Sequence, residues 1–189
     1  MLVGFHGYAE DAETQMERLR AIPESSSRIC VSIQALNRFY QTRTGKVVGN
    51  WMTRQDREAA IADNIEYVSG CLAEVEANWP VSPGLVFTGF SQGVAMAFRA
   101  AVHSARTVAG VIAVGGDVPP ELEPVDLQRI PAALIVRGKD DHLYTAEQFT
   151  KDAERLRQSC LKVSTFESSS GHEWSGGITA AVSGFLTSV

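Results

Sequence analysis

Val86-Phe87-Thr88-Gly89-Phe90-Ser91-Gln92-Gly93-Val94-Ala95-Met96-Ala97 is the stretch whose reading decides the fold. A β-branched and aromatic run enters it, a run of small and apolar residues leaves it, and Gly-x-Ser-x-Gly lies between. A serine on a sharp strand-to-helix turn projects its hydroxyl clear of the backbone. Such a turn crowds its neighbours, so the flanking positions favour glycine. The helix beginning behind the serine points backbone N–H groups at the same place, which suits a developing anion. The five-residue pattern alone is weak, because Gly and Ser are common. Its position between a strand and a helix gives it weight.

Outward from this centre, short apolar runs alternate with longer amphipathic ones. Strands are expected at Leu2 to Phe5, Arg28 to Ala35, Leu85 to Thr88, Val108 to Val114, Ala132 to Val136 and Leu161 to Phe166. Helices are expected at Ala9 to Ile22, Arg57 to Asn78, Gln92 to His103, Ala146 to Gln158 and Trp174 to Thr187. In the helix from Arg57, the residues Ile61, Ile65, Val68, Leu72 and Val75 form one stripe. Several strands read as unbroken apolar runs. That argues for an α/β fold with a mostly parallel sheet of about six strands, covered by helices on both faces. Residues 1–189 read as a single domain, with no repeat, linker or low-complexity tract. The one long irregular stretch is Leu36 to Asp56, and a segment of that length is usually functional.

Composition narrows the function classes. Of 189 residues, 44% are hydrophobic and 21% charged, and the net charge is −5. With no basic cluster, a nucleic-acid partner is not expected. No apolar run approaches the roughly 18 residues of a membrane span, and the N-terminal residues do not read as a signal peptide. Cys30, Cys71 and Cys160 lack metal-ligand spacing and are read as buried free thiols in a reducing, cytoplasmic setting; no metal is expected. A homodimer is compatible with the sequence, which does not fix the oligomeric state.

A serine nucleophile needs a base, and the base needs an orienting acid. In this type of fold the chain order is serine, acid, histidine. Of His6, His103, His142 and His172, only the last two follow Ser91, and only His172 leaves a strand-end carboxylate in between. His172 is therefore the expected base. The acid is sought after Ala132 to Val136, where Arg137-Gly138-Lys139-Asp140-Asp141 turns off the strand. Asp141 is preferred, Asp140 stands second, and Asp117 in Gly115-Gly116-Asp117 reads as a turn residue. Two backbone N–H groups are expected to hold an oxyanion, those of Gln92 and of Tyr8 in Phe5-His6-Gly7-Tyr8. His6 is expected to brace that loop.

Together, Phe5-His6-Gly7-Tyr8, Gly89-Phe90-Ser91-Gln92-Gly93, Gly138-x-x-Asp141 and Gly171-His172 resemble the phospholipase/carboxylesterase family of small α/β-hydrolases, which includes the acyl-protein thioesterases. The resemblance spans essentially the whole chain. It implies a compact α/β-hydrolase fold and hydrolysis of a small-molecule carboxylic ester or thioester without a cofactor. The family's N-terminal β-hairpin is expected to be missing, Arg137 stands where the family often has histidine, and Leu36 to Asp56 only loosely resembles the family's substrate-covering loop. Trp51, Met52, Leu143, Tyr144 and Trp174 are candidates for lining an acyl pocket, with ordinary loop packing as the alternative for each. Arg54 and Arg57 suit either an anionic substrate or a solvated helix start. Two other readings stay open: a catalytically silent hydrolase-like binding protein, and a flavodoxin-like binding domain in which Ser91 and His172 lie far apart.

Overall fold

Six strands assemble into one sheet whose apolar side chains divide between two cores; one edge strand, Lys162–Ser168, is mostly polar and adds only Val163 and Phe166. A computed structural model describes residues 1–159 and 162–189. Cys160, read as a free thiol, and Leu161, read as the start of the last strand, lie outside the described residues. The strands are β1 (Leu2–Phe5), β2 (Cys30–Ile33), β5 (Leu85–Phe90), β6 (Val108–Val114), β7 (Ala132–Gly138) and β8 (Lys162–Ser168). Their order is β2-β1-β5-β6-β7-β8, and every pairing is parallel. The helices are α1 (Ala12–Arg20), α2 (Arg57–Asn78), α3 (Gln92–His103), the single turn α4 (Pro124–Leu127), α5 (Ala146–Gln158) and α6 (Gly176–Thr187).

Alternation along the strands explains the unbroken apolar runs. Val3, Phe5, Phe87, Val111, Ala113, Ala133 and Ile135 face one core, shared with Val68 and Leu72 of α2, Val94 and Phe98 of α3, and Leu156 of α5. Leu2, Val86, Ile112, Val114, Leu134 and Val136 face the other, shared with Leu19 of α1 and Ile178, Val182 and Phe185 of α6. Both faces are thus buried, as a parallel sheet requires. The chain leaves β1 for β2 through α1, then returns through α2 to the other side of β1 and works outward through β5 to β8. The winding therefore reverses between β1 and β5. A crevice at such a point, outside the carboxyl ends of the strands, is where open α/β sheets bind ligands.

Leu36 to Asp56, expected to be irregular, contains an antiparallel pair, β3 (Asn37–Tyr40) and β4 (Val47–Asn50), which aligns Asn37 with Asn50 and Tyr40 with Val47. The turn between them carries Gly45 at φ 68°, a left-handed conformation that glycine adopts without strain. The ribbon docks on the loop after β1: Ala9 N–H donates to the Gly49 carbonyl at 3.0 Å and Gly49 N–H to the Glu10 carbonyl at 2.7 Å. It stands apart from the main sheet; β3 is largely exposed, whereas Val48, Gly49 and Asn50 of β4 are buried. Helix α1 starts later than expected, because Asp11 caps it, its Oδ1 accepting from Thr14 N–H at 2.8 Å. Cys30 and Cys71 are free thiols, half-buried rather than buried.

Candidate active site

Ser91 sits between β5 and α3 with φ 52° and ψ −121°, a conformation costly for any residue with a side chain. Neighbouring strands hold it there. Its N–H donates to the Val114 carbonyl of β6 at 2.8 Å, and its carbonyl accepts from Val94 N–H at 3.0 Å. The two motif glycines are explained by close approach. A Cβ on Gly89 would run into the Gly93 backbone, and one on Gly93 into the Phe5 carbonyl at the end of β1. The motif thus fixes not only a turn but the packing of α3 against the first strand.

His172 arrives on the loop between β8 and α6. Asp140 N–H donates to the Ser170 carbonyl at 3.1 Å and Lys139 N–H to the Ser168 carbonyl at 2.9 Å, tying this loop to the one after β7. His172 Nε2 lies 2.9 Å from Ser91 Oγ, and its Nδ1 lies 2.8 Å from Asp141 Oδ2. Ser91 and His172 are therefore neighbours, and the flavodoxin-like reading, which needed them apart, fails. The Asp141 side chain is buried, and its other oxygen accepts the N–H groups of Leu143 at 2.8 Å and Tyr144 at 2.9 Å. Burial by itself would raise its pKa. The Tyr144 N–H, the His172 ring and the Leu143 N–H outweigh that and hold the carboxyl below the ordinary carboxylate range. An ionised carboxylate only accepts, so Nδ1 carries the imidazole proton and Nε2 is left to accept from the serine hydroxyl. The Phe90 ring, 5.2 Å from the imidazole, backs it on one side. Asp140, His142 and His103 are exposed.

The loop after β1 is built around His6. Its Nε2 accepts from Ala35 N–H at 3.1 Å, which leaves Nδ1–H to donate to the Gly7 carbonyl at 2.8 Å. Burial lowers its pKa, so the ring is neutral and structural. Glu10 shapes the rest of the loop. It accepts from Gly7 N–H at 2.8 Å and is gripped by both terminal nitrogens of Arg18 at 2.6 Å. Tyr8 itself exposes its ring, which lies against Phe39 of β3 at 5.7 Å. Among the described residues, neither the N–H of Tyr8 nor that of Gln92 pairs with a protein acceptor.

A cavity of about 330 Å³ opens beside Ser91 and His172, with Met52, Leu143 and Tyr144 in its wall. Two of the expected wall residues lie elsewhere. Trp51 is fully buried; its Nε1–H donates to the His6 carbonyl at 2.8 Å and its ring packs edge-on against Phe5. A hairpin end that turns inward at Trp51 fills a core void under the site instead of walling it. Trp174 packs on the α1 and α6 face and donates to Thr179 Oγ1 at 3.1 Å. Leu143 is mostly solvent-exposed at the rim, and Tyr144 is buried, with its hydroxyl donating to Asp152 Oδ2 at 3.0 Å.

Two features escaped sequence reading. The Gln92 side chain accepts from Trp51 N–H at 2.9 Å and donates to Asn50 Oδ1 at 2.7 Å and to the Met52 carbonyl at 3.1 Å. It therefore clamps the end of β4 to the start of α3. Arg99 lines the cavity with its side chain only 1% exposed, and Glu121 binds it at 2.8 and 2.5 Å. An arginine inside Val94-Ala95-Met96-Ala97-Phe98-Arg99-Ala100-Ala101 was the available signal, since charged residues are seldom buried unpaired.

Comparison with known proteins bears on the fold and the family. Over residues 2–189 the sequence matches the family model described as phospholipase/carboxylesterase. Among curated proteins, no sequence is similar enough to match. SOBER1 of Arabidopsis thaliana superposes with a TM-score of 0.78 at 16% identity, over 99% of this chain and 97% of that one. Esterase PE8 superposes with a TM-score of 0.74 at 20% identity, over 100% and 91%. Acyl-protein thioesterase 2 of Zea mays gives 0.72 at 18% identity, over 99% and 92%. At these identities the structural likeness establishes the α/β-hydrolase fold, and the family match over nearly the whole length establishes that the chain belongs to the phospholipase/carboxylesterase family.

Proposed function

We propose that the chain, acting as one domain, is a serine hydrolase that cleaves carboxylic esters or thioesters through an acyl-enzyme on Ser91. The observation that carries this is the single imidazole shared between Ser91 Oγ at 2.9 Å and Asp141 Oδ2 at 2.8 Å. In this reading His172 Nε2 takes the hydroxyl proton as Ser91 Oγ bonds to the substrate carbonyl carbon. The bond from that carbon to the alcohol oxygen or thiol sulfur then breaks, and the leaving group departs with the proton from Nε2. Water repeats the sequence: its oxygen bonds to the acyl carbon, its proton passes through His172, and Ser91 regains its hydrogen as the acid leaves. Asp141 keeps the imidazole in the tautomer that the first step needs and stabilises the imidazolium. The N–H groups of Gln92 and Tyr8, both without a protein acceptor, are the proposed oxyanion donors, with Gln92 at the start of a helix whose dipole adds to the effect.

The test is turnover of p-nitrophenyl acetate by the Ser91→Ala variant. Turnover at the buffer rate with an unchanged circular dichroism spectrum is expected. Hydrolysis at the wild-type rate would remove Ser91 from the mechanism.

A further inference from the structure

Beside Ser91, a cavity wall that includes Ala95, Pro119, Pro120 and Leu143 also carries two arginines. Arg57 of α2 and Arg99 of α3 both reach it, and both bind Glu121, Arg57 through Oε2 at 3.1 Å and Arg99 through Oε1. Each guanidinium spends one side on that carboxylate. The other side, Nη1 in both cases, has only the Met52 thioether as a partner among the described residues, at 2.9 Å from Arg57 and 3.8 Å from Arg99. A thioether is a weak acceptor for two cationic donors. One sulfur therefore occupies the place where two guanidinium groups converge, on a flexible and unbranched side chain that gives way readily. Asp117 also lines the cavity. Burial pushes its carboxyl above the ordinary carboxylate range, and among the described residues neither arginine hydrogen-bonds it.

The geometry points to a carboxylate clamp: Arg57 and Arg99 hold a second, ionised carboxyl group on the substrate, which is then a half-ester or half-thioester of a short dicarboxylic acid. This rests on Ser91 being the nucleophile. Ser91, Ala95 and Arg99 lie four residues apart on one face of α3, with only a methyl group between the two ends. Helix rise separates the outer two by roughly 12 Å at Cα. Long side chains on a helix lean back toward its start, which shortens that span, and one cavity of about 330 Å³ holds Ser91 together with both arginines. A long alkyl chain in the same place would strip water from the part-exposed Arg57 guanidinium without replacing it, whereas a carboxylate meets both arginines with charge-assisted hydrogen bonds. Glu121 keeps the two cations together before the substrate arrives.

Two esters of equal shape test the clamp. Monoethyl succinate carries a carboxylate where ethyl 4-methylpentanoate carries an isopropyl group. Wild-type kcat/KM is expected to favour the charged ester by about tenfold to a hundredfold, the range of one or two charge-assisted hydrogen bonds. Arg57→Gln is expected to collapse that ratio, and Glu121→Gln, which removes the competing carboxylate, to keep or enlarge it. Because Arg99 is buried, Arg99→Lys replaces the fork with a point charge without leaving the site neutral, and a reduced ratio is expected there too. Binding of monoethyl succinate to Ser91→Ala, read by calorimetry, isolates the clamp from the chemistry. Turnover of both esters with a ratio near one, in wild type and Arg57→Gln alike, overturns the clamp and leaves the nucleophile standing. Binding of the charged ester alone, with turnover of neither, keeps the clamp and overturns the nucleophile.

Discussion

The two ends of the cavity are held in different ways. At the Ser91 end, each functional group is fixed by backbone: the strained turn by β6, Asp141 by two N–H groups, and His172 by a loop tied to the segment after β7. At the Arg99 end, long side chains from α2, α3 and the segment before α4 hold one another, and Glu121 is partly open to water. The first kind of end is preorganised for chemistry, because nothing must be reordered as charge develops. The second is adaptable and can differ between relatives without disturbing the first. Gln92 belongs to both, with its N–H a proposed oxyanion donor and its side-chain amide gripping Trp51 and Met52.

That contrast can be broken at the rigid end with the largest effect. Asp141→Asn leaves the shape but lets the imidazole take the wrong tautomer; kcat on p-nitrophenyl acetate is expected to fall about 10⁴-fold with KM nearly unchanged. The same variant should lose an acid-side stability term. Wild-type Asp141 has a depressed pKa, so its contribution to stability is present above the ordinary carboxylate pKa and is lost as pH falls through the lower folded value. Chemical denaturation of both proteins between about pH 3 and pH 6, the range in which carboxylates titrate, should show the gap between them closing toward acid.

Gln92→Ala cuts the joint between the ends. Leaving Trp51 N–H and Asn50 without their partner should cost about 1–3 kcal/mol in urea denaturation. It should also raise KM more than it lowers kcat, since the proposed oxyanion donor of residue 92 is its backbone N–H. An equal loss in both would place the clamp inside the chemistry. The smallest effect is expected at Asp152, beneath Tyr144. Burial raises its pKa, so the ionised form weighs against folding: that penalty is absent below the unfolded pKa and grows as pH rises through the folded one. Asp152→Asn keeps an oxygen for Val118 N–H and the Tyr144 hydroxyl. It should match wild type in acid and be more stable by about 1 kcal/mol at pH 8.

The rigid end was also the legible end. Local signals place α2, α3, α5 and β6 with their observed bounds, since each is a periodic or apolar run closed by Pro, Ser or Gly. Chain order and strand ends named Ser91, Asp141 and His172, residues that the structure brings into one hydrogen-bonded line. What escaped was set by distant partners. The β3–β4 ribbon has four-residue strands, half polar, and gains its place from Ala9 and Glu10, some forty residues back by the pairing with Gly49. Trp51 looked like a pocket wall because its neighbours are polar, and only the His6 carbonyl explains its burial. Trp174 likewise answers to Thr179 and the α6 face. Arg99 depends on Glu121, which no spacing rule connects to it.

The central claim is that Ser91 is the activated nucleophile of this site. Treatment with a fluorophosphonate, followed by peptide mass spectrometry, reads it directly. The account predicts one adduct per chain, on the peptide containing Ser91, absent from Ser91→Ala and strongly slowed in Asp141→Asn. An unlabelled Ser91 in the folded wild-type protein, or an adduct on another residue that persists in Ser91→Ala, would contradict it.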